Sequence, residues 1–190
     1  MKDKLRQGDA VVAVDVQNDF CPGGALAVPG GDAVVPIING WIADAAAAGV
    51  PVVASRDWHP GDHCSFAEQG GPWPPHCIRD TEGAAFHPDL RLPDDALVVN
   101  KGEASDRDNY SAFDDTGLAD RLRSLGVERL WVGGLAQDVC VQATVLDARE
   151  AGFETHLIAD ATRAVDVNPG DGERALEAMR AAGAHIDATP

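Results

Sequence analysis

The chain is 190 residues long, 45% hydrophobic and 24% charged, with a formal net charge of −16. That size and composition fit one globular domain, residues 1–190, as a monomer or homo-oligomer. The acidic balance argues against nucleic acid and against anionic membrane surfaces, because both are met with a basic patch.

Met1–Asp9 is polar, and no apolar run approaches the length of a membrane span. A cytoplasmic setting is expected, in which Cys21, Cys64, Cys77 and Cys140 stay reduced. None of them forms a C-x-x-C pair, which argues against a four-sulfur zinc site.

In chain order, Ala10–Val16 reads as a buried strand ending around Asp15. Ala33–Ala48 reads as a helix closed by Gly49, and Pro51–Ser55 as a second strand. Asp57–Asp95 breaks the rhythm: it is long and rich in Pro, Gly, His and Trp. Long irregular segments inside a domain are functional or disordered, and Trp58, Phe66, Trp73 and Phe86 argue against disorder here. Leu97–Lys101 reads as a strand, Leu118–Leu125 as a helix stopped by Gly126, and Arg129–Gly133 as a strand. Gln137–Ala151 follows as a helix, Thr155–Ile158 as a strand, Asp171–Ala182 as a helix and His185–Ile186 as the start of a last strand.

Continuous apolar strands alternating with helices predict an α/β fold, a doubly wound parallel sheet with helices on both faces. Such sheets bind ligands beyond the carboxyl ends of their strands. Asp15, Asp57, Lys101 and the turn leading to Cys140 each follow a predicted strand.

Cys140 is predicted in the first turn of a helix, where the dipole and unpaired N–H groups favour a thiolate and can cradle an oxyanion. A buried core cysteine is the alternative, and position alone does not separate the two. Asp15 reads as a general base for that thiol, or as a helix cap or salt-bridge partner. Lys101 beside both would hold them charged; alone, it reads as a surface lysine with an apolar stem. Asp57-Trp58-His59, with His76 17 positions later, supplies two imidazoles and a carboxylate. That set suits zinc, manganese or iron, with positions left open for water or substrate. His63 lies four after His59, but Pro60 and Gly61 break any helix between them. His87, His156 and His185 read as surface residues.

Together these segments resemble a known family. Asp15-Val16-Gln17-Asn18-Asp19-Phe20-Cys21-Pro22-Gly23-Gly24-Ala25-Leu26 is similar to the N-terminal signature of nicotinamidases, also called pyrazinamidases. So are Arg56-Asp57-Trp58-His59-Pro60, Trp73-Pro74-Pro75-His76-Cys77, Lys101-Gly102 and the run from Gly134 to Val141, all in order along nearly the whole chain. The resemblance implies the isochorismatase-like hydrolase fold and the hydrolysis of a small heteroaromatic amide, nicotinamide and pyrazinamide among them, to its acid and ammonia.

By position, Asp15, Lys101 and Cys140 match the catalytic triad. Asp57, His59 and His76 match the ligands of one divalent ion, zinc before iron or manganese. The Leu135–Ala136 bond matches a cis peptide, and the N–H groups of Ala136 and Cys140 an oxyanion hole. Phe20, Leu26, Trp73 and Tyr110 match the walls around the ring. His63 corresponds to a ligand in some members, but its spacing from His59 resembles members in which it is not one. Val139 stands where some members carry an aromatic residue or His, at the pocket rim. Another amidase or an isochorismatase-type hydrolase on the same fold is the alternative reading. A non-catalytic metal or redox protein is a more distant one.

Overall fold

Six parallel strands form one sheet in the order β3-β2-β1-β4-β5-β6. They are β1 (Asp9–Val14), β2 (Val52–Asp57), β3 (Leu97–Lys101), β4 (Arg129–Leu135), β5 (Glu154–Arg163) and β6 (His185–Asp187). Among the described residues, four α-helices connect them: α1 (Val34–Ala48), α2 (Leu118–Ser124), α3 (Gln142–Glu150) and α4 (Asp171–Ala181). The computed structural model describes residues 5–188; residues 1–4 of the polar opening stretch, and 189–190, lie outside the described residues.

The apolar strands explain the layers. On one face Ile38, Trp41 and Ile42 of α1 pack on Val11, Ala13 and Trp131, with the Trp41 and Trp131 rings stacked at 4.9 Å. On the other, Leu118 and Leu122 of α2, Val145 of α3 and Met179 of α4 cover Val12, Val53, Leu130, Val132 and Leu157. The sheet is therefore doubly wound, as predicted. Its winding reverses between β1 and β4, which puts the switch-point crevice beyond Val14 and Leu135. No helix among the described residues is long and apolar enough to cross a membrane.

β1 ends at Val14, before Asp15, β2 runs on to Asp57, and three further elements differ from the sequence reading. β4 runs on through Gly133 and Gly134 to Leu135. Gly134 has φ +132°, and a Cβ there would run into the Val14 backbone, so this glycine permits close strand approach rather than ending the strand. β5 extends five residues beyond Ile158, to Arg163. Its second half is held by pairing of Thr162 and Arg163 with Gly134 and Leu135 across a register shift, which no apolar run announces. Finally, Gln137–Val141 is a π-helical turn, and regular α-helix begins only at Gln142. Such turns recur at functional sites.

Candidate active site

The carboxyl ends of β1, β2 and β3 and the turn after β4 meet at one point. Parallel pairing sets Asp57 directly beside Lys101. Ser55 and Asp57, two apart on β2, share the sheet face of Val53. Asp15, one residue past β1, adopts a left-handed φ of +49°, which Asp tolerates better than most side chains. That turn sends its carboxylate toward β2, where Oδ1 accepts the Ser55 hydroxyl at 2.7 Å.

Lys101 is the hub. Its ammonium lies 2.8 Å from Asp15 Oδ2, donates to Asp57 Oδ1 at 2.5 Å, and donates to Cys140 Sγ at 3.4 Å. Asp15, Asp57 and Cys140 each bring an atom within 4.8 Å of the others. All four residues are buried. Lys101 is the only lysine among the described residues, and it is not the surface lysine that its type alone suggests.

The electrostatics divide the two carboxyls. Burial pushes Asp15 up, and Lys101 offsets this only in part while Asp57 adds to it. Burial works on Asp57 too, but Lys101 and the His59 and His76 imidazoles hold it below the usual carboxylate range. Lys101 stays charged because its two carboxylates outweigh its burial. Cys140 is driven well above an ordinary thiol by burial and by both carboxylates, against the pull of Lys101. From position alone, the sequence leaves a helix-supported thiolate and a buried core cysteine open at residue 140. Burial and both carboxylates favour the thiol form of Cys140, which sits on a π-helical turn beside a carboxyl whose environment favours taking a proton.

His59 Nδ1–H donates to the Gly102 carbonyl at 2.9 Å and His76 Nδ1–H to the Pro74 carbonyl at 2.8 Å. Both Nε2 atoms are thereby left facing Asp57 Oδ2, at 3.5 and 3.8 Å. Two donors on one tetrahedral ion lie roughly 3.4 Å apart. Backbone carbonyls that fix the tautomer are the usual outer support of metal-binding imidazoles. Two buried carboxylates against one ammonium also leave a negative charge that a cation offsets. On donor type, spacing and charge, Asp57, His59 and His76 fit a divalent ion. His63 is different: Nε2–H donates to the Arg107 carbonyl at 3.1 Å and Nδ1 meets Ser65 Oγ at 2.7 Å. Both nitrogens are engaged, and its ring stacks on His59 at 4.0 Å.

A pocket opens over Cys140, Asp57 and His76. Phe20, Leu26, Val28, Trp73, Tyr110, Ala136, Val139 and Val165 line it, including all four wall residues read from sequence. Trp73 Nε1–H donates to the Tyr110 hydroxyl at 3.1 Å, tying the long β2–β3 segment to the β3–α2 loop across the mouth. The Leu135–Ala136 peptide is cis.

Sequence reasoning missed the supports. Gln17 is fully buried; its amide donates to the Asp57 carbonyl at 2.8 Å while its Oε1 accepts the Asp57 N–H at 2.8 Å. It lies inside the quoted signature, and a polar amide next to a buried strand end is the one signal that could have marked it. Ser55 and Val165 carry no such signal; only the assembled sheet brings them to the site.

A doubly wound sheet with a buried thiol, carboxylate and ammonium at its switch point, beneath a small apolar pocket, has the layout of a small-molecule hydrolase. Residues 9–189 match the isochorismatase domain family. The Escherichia coli nicotinamidase is 44% identical, over 93% of each chain. The structure of Pyrococcus horikoshii pyrazinamidase in complex with zinc superposes with a TM-score of 0.92 at 46% identity, covering 96% of this chain and 99% of that one. An L. infantum protein in complex with nicotinate gives 0.87 at 38% identity, covering 96% and 93%. The chain belongs to the isochorismatase family, in its nicotinamidase/pyrazinamidase branch.

Proposed function

We propose that this chain hydrolyses nicotinamide to nicotinic acid and ammonia through a thioester on Cys140, and accepts pyrazinamide as well. The observation that carries the reading is the convergence of the Cys140 thiol, the Asp15 carboxyl and the Lys101 ammonium under one pocket.

Asp15 takes the thiol proton as Sγ attacks the carboxamide carbon, and the carbonyl electron pair moves to oxygen. The N–H groups of Ala136 and Cys140 are assigned to that oxyanion; loss of one such donor in known systems costs about 100-fold or more in rate. The tetrahedral centre collapses, and ammonia leaves with the proton that Asp15 returns. Water gives a proton to Asp15 and attacks the thioester. The second tetrahedral centre collapses with cleavage of the C–S bond, the sulfur takes back the proton from Asp15, and the acid departs as nicotinate after losing its own proton to solvent. Lys101 stays charged throughout, steadying the thiolate as it forms.

Asp57, His59 and His76 would hold one divalent ion, for which zinc is proposed on the donor set. When bound, it supplies a Lewis-acid site for the ring nitrogen. Phe20, Leu26, Trp73 and Tyr110 would hold the faces of the ring, and orientation of this kind is a large part of catalysis on bound amides.

The test couples two measurements in one sample: ammonia release from nicotinamide and bound metal per chain. Activity that scales with zinc occupancy, with benzamide turned over far more slowly than nicotinamide, is expected. Full activity from metal-free protein, or equal turnover of benzamide, overturns the orienting role of the ion.

A further inference from the structure

At the start of β4, β5 and β6, at the other end of the sheet from Cys140, four further metal-binding side chains gather. In-register pairing sets Arg129 beside Glu154, Trp131 beside His156 and His156 beside His185. Glu154 and His156 are two apart on β5, and His185 and Asp187 are two apart on β6, so all four project from one face. The His156 ring is clamped between Trp131 at 4.2 Å and His185 at 4.6 Å, near parallel to both.

We propose that Glu154, His156 and His185 form a second divalent transition-metal site, with Asp187 as the residue that orients His156. The three bring ligand atoms within 4.8 Å of one another. Asp187 Oδ2 lies 2.6 Å from His156 Nδ1, which leaves Nε2 directed at Glu154 Oε1, 3.0 Å away. That spacing already falls in the range that two donors on one small ion keep, roughly 3.4 Å or less. An ion seated there takes the place of the hydrogen bridging Nε2 and Oε1. The carboxylate behind Nδ1 supplies the outer partner found behind metal-binding imidazoles.

His185 completes the set. Its ring nitrogens bond no described residue, and it stands on the neighbouring strand with its ring stacked on that of His156. A small side-chain turn closes the remaining gap, and it is exposed enough to make one. Glu154 is 46% exposed and His156 12%, so an ion reaches the site from solvent and keeps water in its open positions. Two imidazoles and a carboxylate select zinc, nickel or copper over calcium or magnesium. A bound ion ties the short edge strand β6, which pairs with β5, to the rest of the sheet.

Equilibrium dialysis of the whole chain against micromolar zinc chloride, with metal counted per chain, tests this. Wild type should hold about two ions; His185→Ala and Glu154→Gln should each hold about one and keep full amidase activity. His59→Ala should also hold about one, but without activity, so the two sites succeed or fail in separate arms. Asp187→Asn should weaken the outer site by about 10- to 100-fold, the range seen for outer-shell partners. Zinc should raise the melting temperature of His59→Ala, and not that of His59→Ala/His185→Ala. If wild type, His185→Ala and Glu154→Gln bind the same amount of zinc, the cluster is an ion-pair ladder and the proposal is wrong.

Discussion

At the scale of single residues, the site turns on where one proton sits. Burial favours the thiol form of Cys140 and raises the neighbouring Asp15 carboxyl toward accepting a proton. Environments that separate two carboxyls mark the acid–base partner, which the proposed mechanism takes to be Asp15, since Lys101 and the neighbouring imidazoles favour the ionised form of Asp57. Asp15→Asn keeps the volume and suits the left-handed backbone, since Asn favours φ > 0 as Asp does. It should retain the native circular dichroism spectrum and bound metal yet lose about 100-fold or more in kcat, the usual share of a general base. Cys140→Ala should abolish ammonia release with metal content unchanged. An Asp15→Asn enzyme with near-normal kcat would remove Asp15 from the chemistry.

These residues were legible in the sequence because strand ends concentrate function in parallel sheets and each lies at one. The protonation state was not. A cysteine early in a predicted helix suggests a thiolate, but the two carboxylates that oppose it come from β1 and β2, far away in sequence.

At the scale of elements, the site depends on backbone held from outside the reacting groups. Gln17 pairs with both the N–H and the C=O of Asp57, as a neighbouring strand would, and also donates to the Ala84 carbonyl at 2.9 Å. It thereby ties β1, β2 and the long β2–β3 segment into one unit. Gln17→Ala strands buried polar groups, at about 1–3 kcal/mol for each left unmade. Urea unfolding should register that loss, along with weaker metal retention. A variant as stable as wild type would show that water or a shifted backbone replaces the amide.

Gly102 follows β3 at φ +64°, with its carbonyl on His59, and a Cβ there would run into the His59 ring. Gly102→Ala should therefore cut zinc occupancy and activity together. Loss of activity at full occupancy would instead place the damage at Lys101. Both lie in quoted motifs, but neither supporting role follows from the motif alone. A glycine after a strand reads as a turn, and a glutamine as a surface residue, until the strands that surround them are assembled. The same blindness left His156 and His185 among the surface histidines, because only the pairing of β5 with β6 makes them neighbours.

At the scale of the whole molecule, Asp and Glu total 31 against 15 Lys and Arg, giving the net charge of −16. Fold class was legible from the alternation of apolar strands and helices, since layer packing depends on pattern alone. The acidic surplus says nothing about fold, but it bears on stability, because like charges are closer together in the folded chain than in the unfolded one. Added salt screens this repulsion over a Debye length of about 30 Å at 0.01 M and about 8 Å at 0.15 M. It also screens the exposed attractions, such as Arg107 with Asp114 and Arg123 with Asp120, but exposed pairs contribute only about 0–1 kcal/mol each. The Asp9–Arg129 pair is largely buried and the Lys101 cluster wholly so, and both are screened far less. Repulsion therefore dominates what salt can alter. Raising sodium chloride from 0.01 to 0.15 M, with zinc held constant, should lift the melting temperature by a few degrees, since about 1 kcal/mol corresponds to roughly 2–4 °C at this length. An equal osmolarity of sucrose separates screening from general solute exclusion. A melting temperature that falls with salt would mean that the surface ion pairs outweigh the net charge.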